Sequence, residues 1–444
     1  MISFLRTSYT SNRFYLVGGA LAGLFLLGHF FAPLLYIGRV LLLVYLVLIV
    51  LDLLMIYSLK NGVEAVRVAP DKLSNGDDNS IRIELHNYYS FRVTGGIVDE
   101  IPHQFQKRDV NFSYSIKAGE EKEIRYTLHP VKRGVYSFGA VNVFASGPVG
   151  FFRRRYRYDY GKEVAVYPSY IQMRKYELLA ISNQLVDSGI KKIRRIGHNM
   201  EFEQIKDYVP GDDFRTINWK ATARRSQLMV NNYTDERSQH IYAVIDKGRL
   251  MKSPFKGMTL LDYAINASLA ITNIAIKKDD KAGLVTYEST VDQIIPASKR
   301  NVQMKLINEA LYHQETSFME SDLGRVTVQL LRKLNQRSLL LFFTNFESIV
   351  SMERQLSHLR RLAHSHLVVC IFFENTELTG LLNSTPKNLE QVYIKTIGEK
   401  FVLEKKQIVK ELNKIGVHAV LTPPENLTVQ TVNKYLELKA RGLI

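Results

Sequence analysis

Ile241-Tyr-Ala-Val-Ile-Asp-Lys-Gly-Arg-Leu250 decides the fold of the C-terminal half of this chain. Its first five residues are apolar or aromatic, and a polar loop that contains glycine follows at once. A short apolar run bounded by turn residues indicates a strand that is buried on both faces. Such a strand needs partners on either side, and similar apolar runs follow it along the chain.

Apolar runs alternate with helical patterns from about residue 239 to residue 444. The predicted strands after Ile241–Ile245 are Gly283–Tyr287, Leu339–Phe343, His366–Phe373 and Val417–Leu421. The predicted helices are Leu260–Ile276, Val302–Tyr312, Leu323–Leu334, Ile349–Ala363 and Val402–Ile415. Strands that alternate with helices predict a mainly parallel sheet covered on both faces. We therefore assign residues 239–444 to a Rossmann-like α/β domain.

In sheets of this type, ligands bind at the carboxyl ends of the strands. This rule points to Asp246, Thr344 and Asn345. These positions resemble the metal-ion-dependent adhesion site of von Willebrand factor A domains. In that family Asp-x-Ser-x-Ser ends the first strand, a threonine lies on a second loop, and an aspartate ends a later strand.

The resemblance to this metal site is incomplete. Gly248 and Leu250 stand in place of the two serines, and Asn345 stands in place of the later aspartate. Thr259 could supply the hydroxyl of the second loop, but a hard divalent cation would then find one carboxylate, that of Asp246, and few other oxygens. We predict a site that has lost its metal, with weak Mg²⁺ binding at Asp246 as the alternative. Without metal, Asp246 would cap the chain locally or pair with a neighbouring base.

Residues 197–224 form a dense polar segment upstream of this domain, Gly-His-Asn-Met-Glu-Phe-Glu-Gln-Ile-Lys-Asp-Tyr-Val-Pro-Gly-Asp-Asp-Phe-Arg-Thr-Ile-Asn-Trp-Lys-Ala-Thr-Ala-Arg. Pro210-Gly211 suits the central positions of a type II turn. Asp212 or Asp213 could then cap a short helix that ends near Arg224. The segment is therefore either a capped connector or a docking surface for a partner.

This segment resembles the signature of a bacterial family known as domain of unknown function 58 (DUF58). The chain has Lys206 where the signature is expected to have arginine. Lysine keeps the positive charge but lacks the guanidinium that can form two parallel hydrogen bonds with one partner. The matching residues are Glu201, Phe202, Tyr208, Pro210, Gly211, Asp212, Asp213, Arg215, Ile217, Asn218, Trp219, Ala223 and Arg224. We take all of them except Ile217 and Ala223 as the candidate partner-docking site.

The resemblance extends to the arrangement of the whole chain. It implies two membrane helices, a β-rich domain, the signature and a von Willebrand factor A-like domain. It also implies a partner, because members of the family are typically encoded beside AAA-type ATPases of the MoxR group and look like their adaptors in envelope assembly or stress-related protein maturation. The expected role is thus a scaffold or adaptor and not an enzyme.

Residues 61–170 show the period-two alternation of half-buried strands, separated by turn signals. Strands spaced in this way over about 100 residues predict an all-β immunoglobulin-like sandwich. The segment 171–238, which contains the signature, would then link this sandwich to the α/β domain. The predicted strands are Ile81–Leu85, Glu123–Leu128, Val135–Phe138 and Val141–Phe144.

Residues 1–60 contain two apolar runs, Phe14–Phe31 and Val40–Tyr57. Each is about long enough to cross roughly 30 Å of hydrocarbon, so we predict a transmembrane hairpin that turns at Pro33–Arg39. Asp52 could pair with His29 inside the membrane or lie near the interface. Basic residues before the first run and after the second predict that both termini are cytoplasmic. The resemblance to the bacterial family implies that the membrane is the inner membrane.

The net charge of +16 and the single cysteine, Cys370, restrict the remaining functional classes. The basic clusters Arg153–Arg157 and Lys191–Arg195 favour contact with anionic lipids. No nucleic-acid-binding motif accompanies the charge, so we predict no nucleic-acid partner. A lone thiol within an apolar run excludes disulfides and thiolate metal sites.

The sequence also lacks the common catalytic motifs that bind nucleotides, zinc or an acyl group. The best candidate for an enzyme is the acid pair Asp212-Asp213, because carboxylates can hold Mg²⁺ for phosphoryl transfer. We therefore keep a metal-dependent phosphoryl-transfer enzyme as the alternative function, and a charge-driven nucleic-acid binder as a third.

Overall fold

The computed structural model describes residues 7–107, 110–181, 201–210, 212, 214–234, 238–316, 319–376, 382 and 388–444, without the side chains of 179–181, 201–204 and 232–234. The chain forms two compact units, Met1–Tyr167 and Pro168–Ile444.

The first unit begins with two apolar helices, α1 (Asn12–Gly28) and α2 (Ala32–Tyr57). Helix α2 has 26 residues and is the one described helix that is both long enough and apolar enough to cross a membrane. Helix α1, at 17 residues, falls in the shorter class of apolar helices. The first unit thus supplies one candidate membrane span by length and composition.

The turn between these helices is shorter than predicted. Residues Pro33–Arg39 belong to the first turns of α2 and not to the loop. Proline is accommodated there because the first N–H groups of a helix have no partner within the helix, and its fixed φ suits the first turn. The connection is reduced to residues 29–31.

Asp52 lies on the β-facing side of α2 and is fully buried. Its carboxylate accepts backbone N–H groups from Phe151 at 2.8 Å and Phe152 at 2.9 Å, so the predicted pairing with His29 is wrong. Ile56 lies one helical turn after Asp52, and its carbonyl accepts a hydrogen bond from the Arg154 guanidinium at 3.0 Å. The same guanidinium donates to the carbonyl of Leu59 at 2.6 Å. The C-terminal end of α2 is therefore fastened to the β-rich part of the same unit.

The rest of the first unit is β-structure. The strands are β1 (Ser8–Thr10), β2 (Val63–Val68), β3 (Lys72–Ser74), β4 (Asn79–Asn87), β5 (Val93–Asp99), β6 (Asn111–Ile116), β7 (Glu121–Leu128), β8 (Gly134–Phe138), β9 (Val141–Ser146), β10 (Phe152–Tyr158) and β11 (Lys162–Tyr167). They form sheets with the orders β1-β10-β9-β5-β6, β2-β4-β7 and β3-β11-β8.

A common core joins two of these sheets. Ile83 and Leu85 of β4 pack in one cluster with Ile97 of β5 and Val143 of β9. Along β4, buried and exposed residues alternate, as the period-two pattern predicts. The strands predicted at 81–85, 123–128, 135–138 and 141–144 are all present.

The second unit is a mixture of helices and strands. Its helices are α3 (Tyr170–Ile181), α4 (Trp219–Arg225), α5 (Leu260–Lys277), α6 (Gln303–Tyr312), α7 (Leu323–Lys333), α8 (Ile349–Ser365), α9 (Leu389–Lys414) and α10 (Leu427–Ala440). Its strands are β12 (Glu201–Asp207), β13 (Met229–Thr234), β14 (His240–Asp246), β15 (Pro254–Phe255), β16 (Met258–Thr259), β17 (Lys281–Tyr287), β18 (Val291–Ser298), β19 (Leu339–Phe343), β20 (Leu367–Phe373) and β21 (His418–Thr422).

A six-stranded sheet with the order β18-β17-β14-β19-β20-β21 forms the centre of this unit. Five neighbouring strands pair in parallel, in the order β17, β14, β19, β20 and β21. Strand β18 lies at the edge and is antiparallel to β17. Separate hydrophobic clusters cover its two faces, one around α5 and α10 and the other around α7 and α8. The predicted parallel sheet with helices on both faces is confirmed, and its carboxyl edge carries the predicted strand ends.

Candidate functional site

The DUF58-like segment lies on a two-stranded hairpin. Strands β12 and β13 pair antiparallel from Glu201 opposite Thr234 to Asp207 opposite Met229. Ile217 adds an isolated bridge to Val230, which is buried. The hairpin therefore holds the ends of the connecting segment in a fixed register.

A turn follows β12 directly. The Asp212 N–H donates to Val209 O at 3.0 Å and closes a four-residue turn with Pro210 at its second position. The Asp212 carboxylate accepts from the Val209 N–H at 3.1 Å and from the Lys206 ammonium at 2.9 Å. The hydrogen bond from Lys206 is the main reason that the pKa of Asp212 is lowered.

Helix α4 begins later than the sequence predicted. A short 3₁₀ turn, Phe214–Thr216, comes first. Asn218 is the N-cap, since its Oδ1 accepts the Ala221 N–H at 3.0 Å. The expectation that Asp212 caps this helix is corrected, because the 3₁₀ turn separates it from the helix start. Asp213, the other predicted cap, lies outside the described residues. Asn218 Nδ2 also donates to Asn231 on β13 at 2.8 Å, which anchors the cap.

The braced segment exposes large apolar side chains. Phe214 and Trp219 are each 70% exposed, and Val209 is 57% exposed. The Arg215 guanidinium lies 5.7 Å from the ring centroid of Phe214. We call the surface of Val209, Phe214, Arg215 and Trp219 the aromatic patch.

The remaining predicted docking residues contribute in different ways. The Tyr208 N–H donates to Leu228 O at 2.8 Å, and Arg224 lies exposed on α4. Glu201 and Phe202 are described by their backbone alone, as the first residues of β12. Gly211 and Asp213 lie outside the described residues.

The carboxyl edge of the central sheet is the second predicted site. Asp246 ends β14 and is buried, and its carboxylate accepts the Gly248 N–H at 2.8 Å and the Thr344 hydroxyl at 2.7 Å. A third hydrogen bond comes from the Ser321 hydroxyl. Burial raises the pKa of Asp246, although each of these hydrogen bonds favours the charged form. Ser321 was not predicted, because it lies in a loop far from the strand ends in sequence.

The two basic residues that follow Asp246 closely in sequence form ion pairs with other acids. The Lys247 ammonium lies 2.8 Å from Asp292 and 3.2 Å from Glu288. Arg249 lies 3.7 Å from Glu347. Asp246 therefore accepts hydrogen bonds from hydroxyl and backbone groups, and the two bases predicted as its alternative partners pair with other acids.

The side chains of Thr259 and Asn345 form hydrogen bonds with residues other than Asp246. The Thr259 hydroxyl donates to Asp262 at 2.6 Å within the capping box that starts α5. The Asn345 side chain accepts from the Lys405 ammonium at 2.9 Å. Among the described residues, no group of three or more His, Cys, Asp or Glu side chains is close enough to hold a metal ion. Weak Mg²⁺ binding at Asp246 stays an untested alternative.

Comparison with known proteins gives limited matches. An uncharacterized protein of Bacillus subtilis (strain 168), YeaD, is 27% identical over 161 residues, which cover 36% of this chain and 38% of that protein. This chain therefore aligns with about two fifths of the length of that relative.

Solved structures resemble parts of the chain weakly. The conserved hypothetical protein BatB from Bacteroides thetaiotaomicron matches 46% of this chain and 100% of its own, at 11% identity and a TM-score of 0.31. A PapD-like domain of human CEP192 matches 24% of this chain and 84% of its own, at 13% identity and a TM-score of 0.18. In sequence, residues 204–381, which include the turn and α4, match the family described as "Protein of unknown function DUF58".

Proposed function

We propose that this protein is a membrane-anchored adaptor that binds a partner protein through the aromatic patch. The observation that carries the proposal is the exposure of Phe214 and Trp219, 70% each, on a segment that is otherwise held by hydrogen bonds. Exposing two aromatic side chains leaves apolar area in water, where it contributes nothing to folding. A segment that is held by hydrogen bonds and presents such residues is suited to binding.

The charge around the patch indicates what the partner should offer. Arg215, Lys220, Arg224 and Arg225 are all exposed and lie in the same stretch of sequence as the two aromatic residues. Tryptophan and arginine are enriched among the residues that dominate binding energy at protein interfaces. A matching partner would therefore carry an apolar pocket with an acidic rim.

We further propose that this partner is a MoxR-type AAA ATPase, acting in envelope protein assembly or a stress response. The resemblance of residues 201–224 to the DUF58 signature supports this choice of partner. In the same proposal, the β-rich unit is an immunoglobulin-like sandwich, and residues 239–444 form a von Willebrand factor A-like domain without catalytic activity or a required metal.

The membrane part of the proposal places the chain at the bacterial inner membrane with two spans, α1 and α2, and both termini in the cytoplasm. The length and composition of α2 support one span. Arg153 and Arg157 are exposed on β10, the strand fastened to the end of α2, where they could contact anionic lipid headgroups. Other membrane or envelope proteins are proposed as further partners.

The alternative is a metal-dependent phosphoryl-transfer enzyme that uses Asp212 and Asp213. The contacts of Asp212 weigh against it, because the carboxylate already accepts a hydrogen bond from Lys206 and one from Val209. A lysine ammonium at 2.9 Å competes with a cation for the same oxygen. We therefore prefer the adaptor.

The test is affinity capture of the full chain, extracted from membranes, with and without ATP. Wild type is compared with a Phe214→Ala/Trp219→Ala variant and with Tyr393→Ala, a control that removes an aromatic side chain 72% exposed on α9. Circular dichroism confirms that each variant is folded.

We expect wild type and the control to recover an AAA-type ATPase and the double variant to lose it. Equal recovery by all three would remove the aromatic patch from the proposal, and recovery by none would remove the ATPase. Mg²⁺-dependent phosphatase activity that disappears in Asp212→Asn would favour the enzyme.

A further inference from the structure

A pocket of about 420 Å³ opens at the carboxyl edge of the central sheet. Its volume falls within the range of small-molecule sites. Strands β20 and β21, helix α9 and the loop after β14 contribute its walls. The apolar side chains that line it include Leu250, Phe255, Phe346, Phe373, Phe401 and Leu421.

Lys405 is the polar centre of this pocket. Its Nζ donates to Asn345 Oδ1 at 2.9 Å and to the backbone carbonyl of Phe346. These two acceptors fix the position of the amine. A neutral amine that donates two hydrogen bonds still has a lone pair, which points in a third direction. Lys405 is one of the residues that line the pocket.

The charged groups around the pocket nearly cancel. Lys406, Glu347 and Glu374 line it together with Lys405, and Glu347 is 3.7 Å from Arg249. Burial lowers the pKa of Lys405 to about 8, and Glu347 opposes this shift. About a quarter of a lysine with that pKa is neutral at pH 7.5, against roughly one part in a thousand for an ordinary lysine.

We propose that Lys405 is a modification site at which the pocket binds an aldehyde carried on an apolar chain and the lysine amine captures it as an imine. The Nζ lone pair attacks the carbonyl carbon and a C–N bond forms. The nitrogen gives up its two remaining protons, the carbonyl oxygen leaves as water, and a C=N bond remains. The step needs no oxidant or reductant. It is independent of the proposed adaptor role.

The geometry explains why this lysine and this class of molecule are selected. Lysines are captured by carbonyl compounds when burial raises the neutral fraction of the amine. The apolar walls favour a chain of several carbons, since each buried methylene adds to binding. Lys406, its exposed neighbour, lacks the two fixed acceptors of Lys405 in the described contacts.

The test uses the full chain with octanal or propanal as the probe, sodium cyanoborohydride to reduce the imine, and mass spectrometry to map the alkylated lysines. The ratio of alkylation at Lys405 to alkylation at Lys406 in one sample removes differences in probe concentration. At pH 7.5 we expect this ratio to exceed about ten with octanal. We expect it to be at least about tenfold lower with propanal.

Two variants complete the test. Lys405→Arg should lose the site-specific alkylation, because a guanidinium does not form the imine. Phe401→Ser, at a side chain 44% exposed, should lower the octanal ratio and leave the propanal ratio unchanged. Equal alkylation of Lys405 and Lys406 in wild type would overturn the proposal. A Lys405 preference that is the same for both aldehydes would also overturn it, since the apolar pocket would then play no part.

Discussion

The carboxylate of Asp52 accepts the backbone N–H of Phe151 at 2.8 Å, so a fully buried acid joins helix α2 to the start of β10. Phe151 itself packs against Leu21 of α1 and Tyr45 of α2. Strand β1, which precedes α1 in sequence, also pairs with β10. Both ends of the apolar helix pair are therefore attached to one strand of the β-rich part.

Asp52→Asn should weaken this attachment by about 2 kcal/mol, because Asp52 accepts the Phe151 and Phe152 N–H groups through Oδ2 and the Gly150 N–H through Oδ1 (3.4 Å). An amide replaces one of these oxygens with an NH₂ group that would face a donor. The measurement is hydrogen exchange at residues 150–152, together with thermal unfolding. Asp71→Asn is the matched control, since Asp71 pairs with Lys162 at 2.7 Å but its side chain is 93% exposed. Equal effects of the two substitutions would contradict the role given to Asp52.

Trp219 provides a direct probe of the aromatic patch, because it is the one tryptophan in the chain. At 70% exposure its indole should be readily quenched by acrylamide in the free protein. Binding of a partner over the patch should protect it from quenching and shift its emission to shorter wavelength. Unchanged quenching in a complex captured by wild type would place the partner elsewhere.

Asn218→Ala should destabilise the start of α4 by about 1 kcal/mol, the usual cost of losing an N-cap. Asn218→Asp is the matched comparison, because it keeps an acceptor for the Ala221 N–H and loses the donor to Asn231. Hydrogen exchange at Ala221 measures the effect. We expect faster exchange in the alanine variant than in the aspartate variant. Equal exchange in the two variants would show that the bond to Asn231, which both variants lose, is the main constraint.

Much of the second unit could be predicted because its strands are short, wholly apolar runs. Leu339–Phe343 was predicted without error, and α5 and α7 agree to within one residue at each end. The antiparallel strand β18 was missed since Pro296 and its polar neighbours obscure the alternation. Helix α9 begins at Leu389, well before the predicted Val402, with apolar side chains such as Leu389 and Tyr393 exposed.

The sites were less predictable than the fold. Local spacing identified Asp246 and Thr344, whose side chains meet at 2.7 Å. Ser321 and Lys405 reach the same edge from distant parts of the chain, and no local pattern marks them. The helix cap was misplaced because a 3₁₀ turn cannot be distinguished from the first turn of an α-helix by apolar spacing.

Cys370 should be inert in the folded protein. Its thiol is fully buried in β20, and burial raises its pKa to about 12. Since the thiolate is the reactive form, a colorimetric disulfide reagent at pH 8 should detect no thiol in the native chain and one thiol after denaturation. Rapid reaction of the native protein would mean that β20 opens or that its burial is incomplete.

Lys405 should make stability depend on pH with a definite sign. Burial lowers its pKa to about 8 in the folded chain, whereas the unfolded chain keeps a value near 10.4. Between these values the unfolded state binds more protons, so stability rises with pH, by about 1 to 3 kcal/mol in all. Urea unfolding at several pH values from 7.5 to 10.5 should show this rise in wild type relative to Lys405→Met, which cannot titrate there. A constant difference between the two proteins would mean that the Lys405 amine is solvated in the folded state.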